Sequence, residues 1–393
     1  MGKLLKSVFW IAGEKSGDLH AAQVLKSLKK LEVKPHHYGI GGPEMEKEGF
    51  ESLFPFERFN VMGFTEVIKH IRFFLKTEKI IRKKLSENRP DLVILVDYPG
   101  FNMRIARIAD DLSIPVLWFI APQFWAWKHN RIYKLKAYTR HVACILPFEP
   151  ELLQINRVNC SFVGHPIAEE IELTTTREDF AARFGLNPEK KWIGFLPGSR
   201  KQEVKRMLPE FLKTTKQMRG SGYEFLISKT SNLPTKLYFG MINDADVKEI
   251  FMITGSSYEM MNHCDFLVVT SGTATLETAY IGTPFCIVYK TGTLSYLIGK
   301  NLIKISSVGL PNIIMDRKIV PELIQHDCNA RTIRGTIEKY MDHKLLYQQM
   351  ADQLTIIKKL LGSKSASTEM TNIVENLLKD RMWLHDESFT RTL

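Results

Sequence analysis

The sequence predicts an α/β protein: two doubly wound, Rossmann-like domains with an inter-domain cleft and a C-terminal helical tail. Three observations predict it. Short apolar runs alternate with amphipathic helical stretches through the first 165 residues, which is the pattern of a parallel sheet covered on both faces. The same alternation restarts at Trp192. From about Thr332 the chain reads as helical and charged, without strand-like runs.

The first unit opens with Val8–Ala12, five apolar residues that make a short buried strand. Gly13 and Gly17 turn the chain, and Ser16 and Asp18 are N-cap residues by type. A helix over 18–30 follows, with Leu19, Ala22, Leu25 and Leu28 on one stripe. Further strands are expected at His37–Ile40, Leu92–Asp97, Val116–Ile120, His141–Leu146 and Ser161–Gly164, with helices at 62–86, 101–112, 130–137 and 148–156. The second set has strands Trp192–Leu196, Glu224–Ser228, Glu249–Ile253, Phe266–Thr270 and Pro284–Tyr289, with a helix over Gln202–Arg219. The boundary falls near Gly164-His165-Pro166 and the polar stretch Leu173–Asp179, giving domains over 1–168 and 169–350 and a tail over 351–393. Ligands of such folds bind beyond the carboxyl ends of strands, and with two domains the expected place is the cleft between them.

Composition narrows the class. Of 393 residues, 44% are apolar and 25% charged, as in a well-cored globular protein. Lys+Arg of 54 against Asp+Glu of 43 gives +11, a surplus that suits nucleic acid, phosphorylated substrates or an anionic membrane face. Cys144, Cys160, Cys264, Cys286 and Cys328 are odd in number, scattered and without a Cys-x-x-Cys, so buried free thiols in a reducing compartment are expected. The run after Lys6 is too short for a secretory segment, and no window approaches the roughly 20 apolar residues of a membrane span.

Several stretches carry chemistry. The turn Glu14–Asp18 is acidic where a phosphate cradle would be basic or neutral, so it suits hydroxyls or amines. Asp97 ends an apolar strand; it is either a general base whose pKa burial raises, or the cap of the turn Pro99–Phe101. In Leu196-Pro197-Gly198-Ser199-Arg200, the glycine lets backbone approach a ligand, Ser199 caps the next helix, and Arg200 adds a fixed charge; a solvated turn is the alternative. Val269–Glu277 is a second strand-to-helix junction. There Ser271, Gly272 and Thr273 expose a helix N-terminus to a diphosphate, and Glu277 can accept two ribose hydroxyls; a packed helix start is the alternative. Two such junctions converge on one nucleotide diphosphate. Asp244-Ala245-Asp246 matches a metal–diphosphate triplet but sits away from both junctions and is set aside; no cluster has metal spacing. Phe64, Val67, Ile68, Ile71, Phe74 and Leu75 recur at helical spacing beside Lys69, Arg72, Lys76 and Lys79, which suits an interfacial helix on anionic lipid or a core helix with a basic face. Trp118, Phe119, Phe124, Trp125 and Trp127 line an acyl pocket or form core. No nucleic-acid-binding module is present, so no nucleic-acid partner is expected.

Glu14–Asp18, Asp97 with Pro99 and Phe101-Asn102, Pro122 with Trp125-Ala126-Trp127, Gly164-His165-Pro166, Pro197–Arg200, Ser271–Glu277 and Leu310-Pro311-Asn312 occur together and in order. Jointly, from Val8 to Asn312, they resemble the lipid-A-disaccharide synthase family, bacterial inverting glycosyltransferases of the GT-B fold. The resemblance implies that UDP-2,3-diacylglucosamine donates its sugar to 2,3-diacylglucosamine 1-phosphate, forming a β-1,6 disaccharide and UDP without metal or other cofactor. It implies Asp97 as base on the acceptor 6-hydroxyl. Glu14, Ser16, Gly17, Asp18 and Asn102 would shape the acceptor side. Arg200, with Gly198, Ser199 and the amides of Ser271–Thr273, would hold the leaving diphosphate, Glu277 the ribose, and Asn312 the donor. It further implies peripheral contact with the inner face of the inner membrane from the cytoplasm through Phe64, Ile68, Ile71, Phe74 and Leu75, a monomer or homodimer, and a tail that packs back on the first domain. Family members often carry a second Asp where this chain has Gly100, and smaller residues where it has Lys15 and His20. The rival readings are a UDP-N-acetylglucosamine 2-epimerase of the same fold and a non-catalytic basic RNA- or membrane-binding protein.

Overall fold

The structure, a computed structural model, describes residues 6–32, 34–59, 71–126, 129–247, 249–291 and 307–379. The chain divides into two compact units, Met1–Pro166 with Lys364–Leu393, and Ile167–Ser363.

The first unit is a seven-stranded sheet of β1 (Ser7–Ala12), β2 (His36–Ile40), β3 (Glu51–Ser52), β4 (Leu92–Val96), β5 (Val116–Phe119), β6 (His141–Cys144) and β7 (Cys160–Phe162). Its order is β3-β2-β1-β4-β5-β6-β7, and every pairing is parallel. The apolar runs became strands because helices cover both faces, so β1 and β4 are buried almost end to end. Val8, Trp10, Ile94 and Val96 share one core with Leu25 and Leu28 of the helix Lys15–Leu28. The helix Ala366–Lys379 closes that core with Ala366, Met370, Val374 and Leu378.

The second unit is a six-stranded parallel sheet of β8 (Trp192–Leu196), β9 (Glu224–Lys229), β10 (Phe251–Thr254), β11 (Phe266–Thr270), β12 (Phe285–Tyr289) and β13 (Glu322–Ile324), in the order β10-β9-β8-β11-β12-β13. Its core joins Ile193, Phe195, Val268 and Val288 to Val204, Leu208 and Phe211 of the helix Lys201–Gln217.

Each sheet has one place where the strand order reverses, between β1 and β4 in the first and between β8 and β11 in the second. At such a switch point the two following helices diverge to opposite faces and leave a crevice at the strand ends. The sequence had not indicated β3 or β13, edge strands of two and three residues. The five cysteines are free and buried. Among the described residues no helix is long and apolar enough to cross a membrane.

Candidate active site

Glu14 and Asp97 leave the first sheet at its switch point. Ala12 pairs with Val96, so the residues after them leave adjacent strands side by side. The close approach is strict: a Cβ on Gly13 would lie 3.1 Å from Cδ1 of Tyr98. Asp97 and Tyr98 both take left-handed backbone, with φ of 44° and 48°. Two consecutive non-glycine residues in that region cost about 1 kcal/mol or more each, and the surrounding contacts must hold them there. Asn102, fully buried, does so. Its Nδ2 donates to the carbonyls of Val96 at 3.2 Å and Asp97 at 2.8 Å, and its backbone N–H donates to the carbonyl of Tyr98 at 3.1 Å. Asp97 does not cap the helix Pro99–Asp111, whose N-cap is Tyr98 with no side-chain cap bond.

The electrostatics suit a base. Asp97 is partly buried, and its pKa is raised to about 6, first by desolvation and then by the negative charge of Glu14; Tyr98 N–H, His20 and Arg131 act the other way. A second carboxyl nearby, Glu149, is 1% exposed. It accepts from Trp125 Nε1 at 3.1 Å and Leu146 N at 3.2 Å, and burial raises its pKa to about 8.

The other residues expected here have different surroundings. Ser16 is exposed. Neither Ser16 nor Asp18 is the N-cap of the first helix: that helix starts at Lys15, with Glu14 as N-cap. Asp18, 2% exposed, accepts from the amides of Gly42 at 2.8 Å, Glu44 at 3.1 Å and Met45 at 3.1 Å, so its carboxylate caps the helix Pro43–Lys47. Gly17 is buried, and a Cβ there would sit 3.5 Å from Val96 Cγ1. That is ordinary van der Waals contact, so Gly17 faces β1 and β4 from the helix and a small side chain would also fit there.

The second unit repeats the geometry. Leu196 pairs with Val269, so the turn Pro197–Arg200 after β8 and the turn Ser271–Gly272 after β11 lie next to each other at the switch point. Gly198 has φ 99°, open to glycine and strained for other residues. The N-cap of the helix Lys201–Gln217 is Arg200, not Ser199. The amides of Ser199 and Arg200 donate to Glu203 Oε2 at 3.0 and 3.2 Å, so an internal carboxylate already serves these two donors. Arg200 is exposed, with its Nη1 3.5 Å from Glu203 Oε1. The helix Thr273–Ile281 starts from exposed Gly272; the Thr275 N–H donates to the Gly272 carbonyl at 3.1 Å, and the amides of Thr273 and Ala274 are the first-turn donors that helix geometry leaves without an intrahelical acceptor. Glu277, partly buried, accepts from Tyr258 Oη at 3.4 Å; burial, followed by the charge of Glu277, raises the Tyr258 pKa.

Asn312 is turned into the fold. At 1% exposure its amide donates to Val320 O at 2.9 Å and Glu322 Oε1 at 2.8 Å, and accepts from Ile319 N at 2.8 Å and Val320 N at 3.0 Å. Its capacity is used inside the fold. Glu322 also accepts from Val308 N and Gly309 N, so the pair shapes the segment beside Ser271, whose Oγ donates to Val308 O at 3.4 Å.

Of the proposed lipid-facing stripe, Phe64 and Ile68 lie outside the described residues, as does Trp127. Ile71 begins the helix Ile71–Asn88. Phe74 is half-buried among the rings of Phe59, Phe73, Tyr98 and Phe101, with centroids 5.5–6.3 Å away. Leu75 is 42% exposed beside exposed Arg72, Lys76 and Lys79. Trp118, Phe119 and Phe124 are fully buried core, so they line no acyl pocket. Asp244 and Asp246 are exposed at the end of the helix Thr235–Asp244, and among the described residues no three His, Cys, Asp or Glu side chains are grouped to hold a metal ion.

Sequence reasoning missed Glu149, Glu203, Glu322 and Arg131. Only Glu203 had a local signal, since a Glu three residues after a helix N-cap is capping-box spacing.

Comparison with known proteins gives the family and the fold. A family model described as lipid-A-disaccharide synthetase matches residues 8–374. The lipid-A-disaccharide synthase of Geobacter metallireducens is 34% identical over 383 residues, covering 95% of this chain and 97% of that protein. That of Syntrophus aciditrophicus is 36% identical over 376 residues, covering 95% and 98%. Among solved structures, UDP-GlcNAc 2-epimerase from Neisseria meningitidis bound to UDP-GlcNAc superposes with a TM-score of 0.62 at 14% identity, covering 95% of this chain and 99% of that one. The calicheamicin glycosyltransferase CalG4 gives 0.62 at 12% identity, covering 96% and 99%. These two share the GT-B architecture; at such identity they speak only to fold, and the epimerase reading gains nothing from them. The chain belongs to the lipid-A-disaccharide synthase family and is a glycosyltransferase.

Proposed function

We propose that the chain joins UDP-2,3-diacylglucosamine to 2,3-diacylglucosamine 1-phosphate, with inversion at the donor's anomeric carbon. Asp97 takes the proton of the acceptor 6-hydroxyl as its oxygen attacks that carbon. The carbon–oxygen bond to the diphosphate breaks on the opposite face, and UDP departs with the electron pair. The observation that carries this reading is the strained turn at Asp97: a carboxylate with a pKa near 6, fixed at a switch point by Asn102.

In the second unit, Arg200 and the amides at Gly272 and Thr273 hold the diphosphate, and Glu277 accepts the ribose hydroxyls. Glu203 holds the turn Ser199–Arg200 in shape. Glu14 acts on Asp97 through its charge, and Ser16 faces the acceptor side from the exposed start of its helix. The exposed Leu75 and the cations around it support peripheral contact with anionic lipid, which the reading places at the inner face of the inner membrane.

The test is a transfer assay with a radiolabelled donor and the acylated acceptor, run in EDTA. A labelled disaccharide 1-phosphate is the expected product. Formation of the manno epimer from UDP-N-acetylglucosamine, with no disaccharide from the acylated pair, would overturn the reading.

A further inference from the structure

A cavity of about 800 Å³ opens beside the Asp97 turn, within the first unit. Pro99, Met103, Arg107 and Asp111 line it at four-residue spacing, so it follows the helix Pro99–Asp111 for its length, roughly 20 Å at 1.5 Å per residue. Residues of the helices Ile71–Asn88 and Arg131–Tyr138 complete the walls.

The walls are basic. Five cations, Arg82, Arg104, Arg107, Arg131 and Lys134, stand against two carboxylates, Glu78 and Asp111. The carboxylates are engaged, Glu78 by Arg104 at 2.6 Å and Asp111 by Arg82 at 3.4 Å. The lining therefore keeps a net positive charge, with exposed Arg107 and Lys134 contributed by different helices. Arg131 joins the groove to the candidate base, because it lines the one and its charge interacts with the other. Gly100 lies at the same end, three residues after Asp97, and a Cβ there would meet nothing within 4 Å. A carboxylate at this position would place a negative charge at the groove; the glycine places none.

We propose that this groove binds the phosphomonoester of the acceptor sugar, an inference that rests on the transferase reading above. The chemistry of the acceptor demands such a neighbour. Its anomeric phosphate and its 6-hydroxyl are carried on either side of one pyranose ring oxygen, so a base at the hydroxyl requires a phosphate grip close by. Arginine matches a phosphate dianion with paired N–H donors, and a second cation from another helix fixes its direction. The groove also orients the sugar, presenting the hydroxyl to Asp97 rather than the ring's other oxygens.

The experiment uses the full-length Arg107→Ala/Lys134→Ala variant and two acceptors, the acylated glucosamine with and without its 1-phosphate. The quantity read is the ratio of kcat/KM for the phosphorylated over the phosphate-free acceptor. That ratio should fall about tenfold or more, through a higher KM for the phosphorylated acceptor, as expected for lost charge-assisted contacts. The charge-conserving Arg107→Lys/Lys134→Arg variant should recover part of it. An unchanged ratio overturns the proposal. An unchanged ratio together with lost co-sedimentation on phosphatidylglycerol vesicles assigns the cations to lipid headgroups instead. If the parent enzyme forms no disaccharide from either acceptor, the transferase reading itself falls, and this inference with it.

Discussion

The side-chain amide of Asn102 donates to the main-chain carbonyl of Asp97 at 2.8 Å, and so ties a helix interior to the strained residue in front of it. The bond explains how a left-handed aspartate persists without glycine's freedom. Asn102 is therefore a positioning residue. Asn102→Ala should lower kcat by about 10²-fold, the scale on which a misplaced catalytic group loses rate, while KM for the UDP-sugar changes little. Steady-state kinetics against both substrates checks the split; a loss confined to KM would contradict it.

Asp18 reads in the sequence as an N-cap residue and, by the resemblance, as part of the acceptor side; in the fold it bridges two helices. Its carboxylate serves three backbone amides at the start of Pro43–Lys47. Removing it leaves buried donors unsatisfied, so Asp18→Ala should lower unfolding stability by about 2–4 kcal/mol. Urea denaturation measures this. A variant as stable as the parent but inactive would return Asp18 to the acceptor side.

Glu149 gives a pH signature. Its folded pKa of about 8 lies above its ordinary 4.5, so between those values the unfolded chain releases a proton that the folded chain keeps. Stability then falls as pH rises through that window, and the cost is complete above it. Glu149→Gln does not titrate. Relative to the parent, its stability should improve by roughly 1.4 kcal/mol per pH unit across the window. Parallel stability–pH curves for the two proteins would contradict the burial argument.

Membrane contact is best tested at Leu75. It is 42% exposed, whereas Phe74 packs against Tyr98 and Phe101 and its replacement would disturb the site. Leu75→Glu should weaken co-sedimentation with anionic vesicles several-fold and leave the melting temperature within about 2 °C, as surface changes usually do. Unchanged co-sedimentation would move the contact elsewhere.

Much of this was legible in the residues. Uninterrupted apolar runs such as Leu92–Val96 and Phe266–Thr270 announce doubly covered strands, and the glycine-bearing turns after β1, β8 and β11 lie at the switch points. What stayed hidden depends on partners distant in sequence. Asp18 reads as a cap of its own helix because the amides it serves lie 24 or more residues away. Asn312 reads as a ligand group because nothing local shows that Glu322 and the Ile319–Val320 backbone consume its amide. Phe74 has the spacing of a lipid-facing residue, but periodicity reports a face and not what covers it. The edge strands β3 and β13, two and three residues long, are too short to leave a pattern.

The most direct test is the pH dependence of kcat/KM for disaccharide formation, measured with the parent, Asp97→Asn and Glu14→Gln. A base with a pKa of about 6 gives an acidic limb centred there, with rate rising as pH climbs through it. Removing the Glu14 charge, which raises that pKa, should move the limb to lower pH. Asp97→Asn should cost about 10²–10⁴-fold and erase the limb. Transfer by Asp97→Asn within a few-fold of the parent, with the limb intact, would show that another group takes the proton.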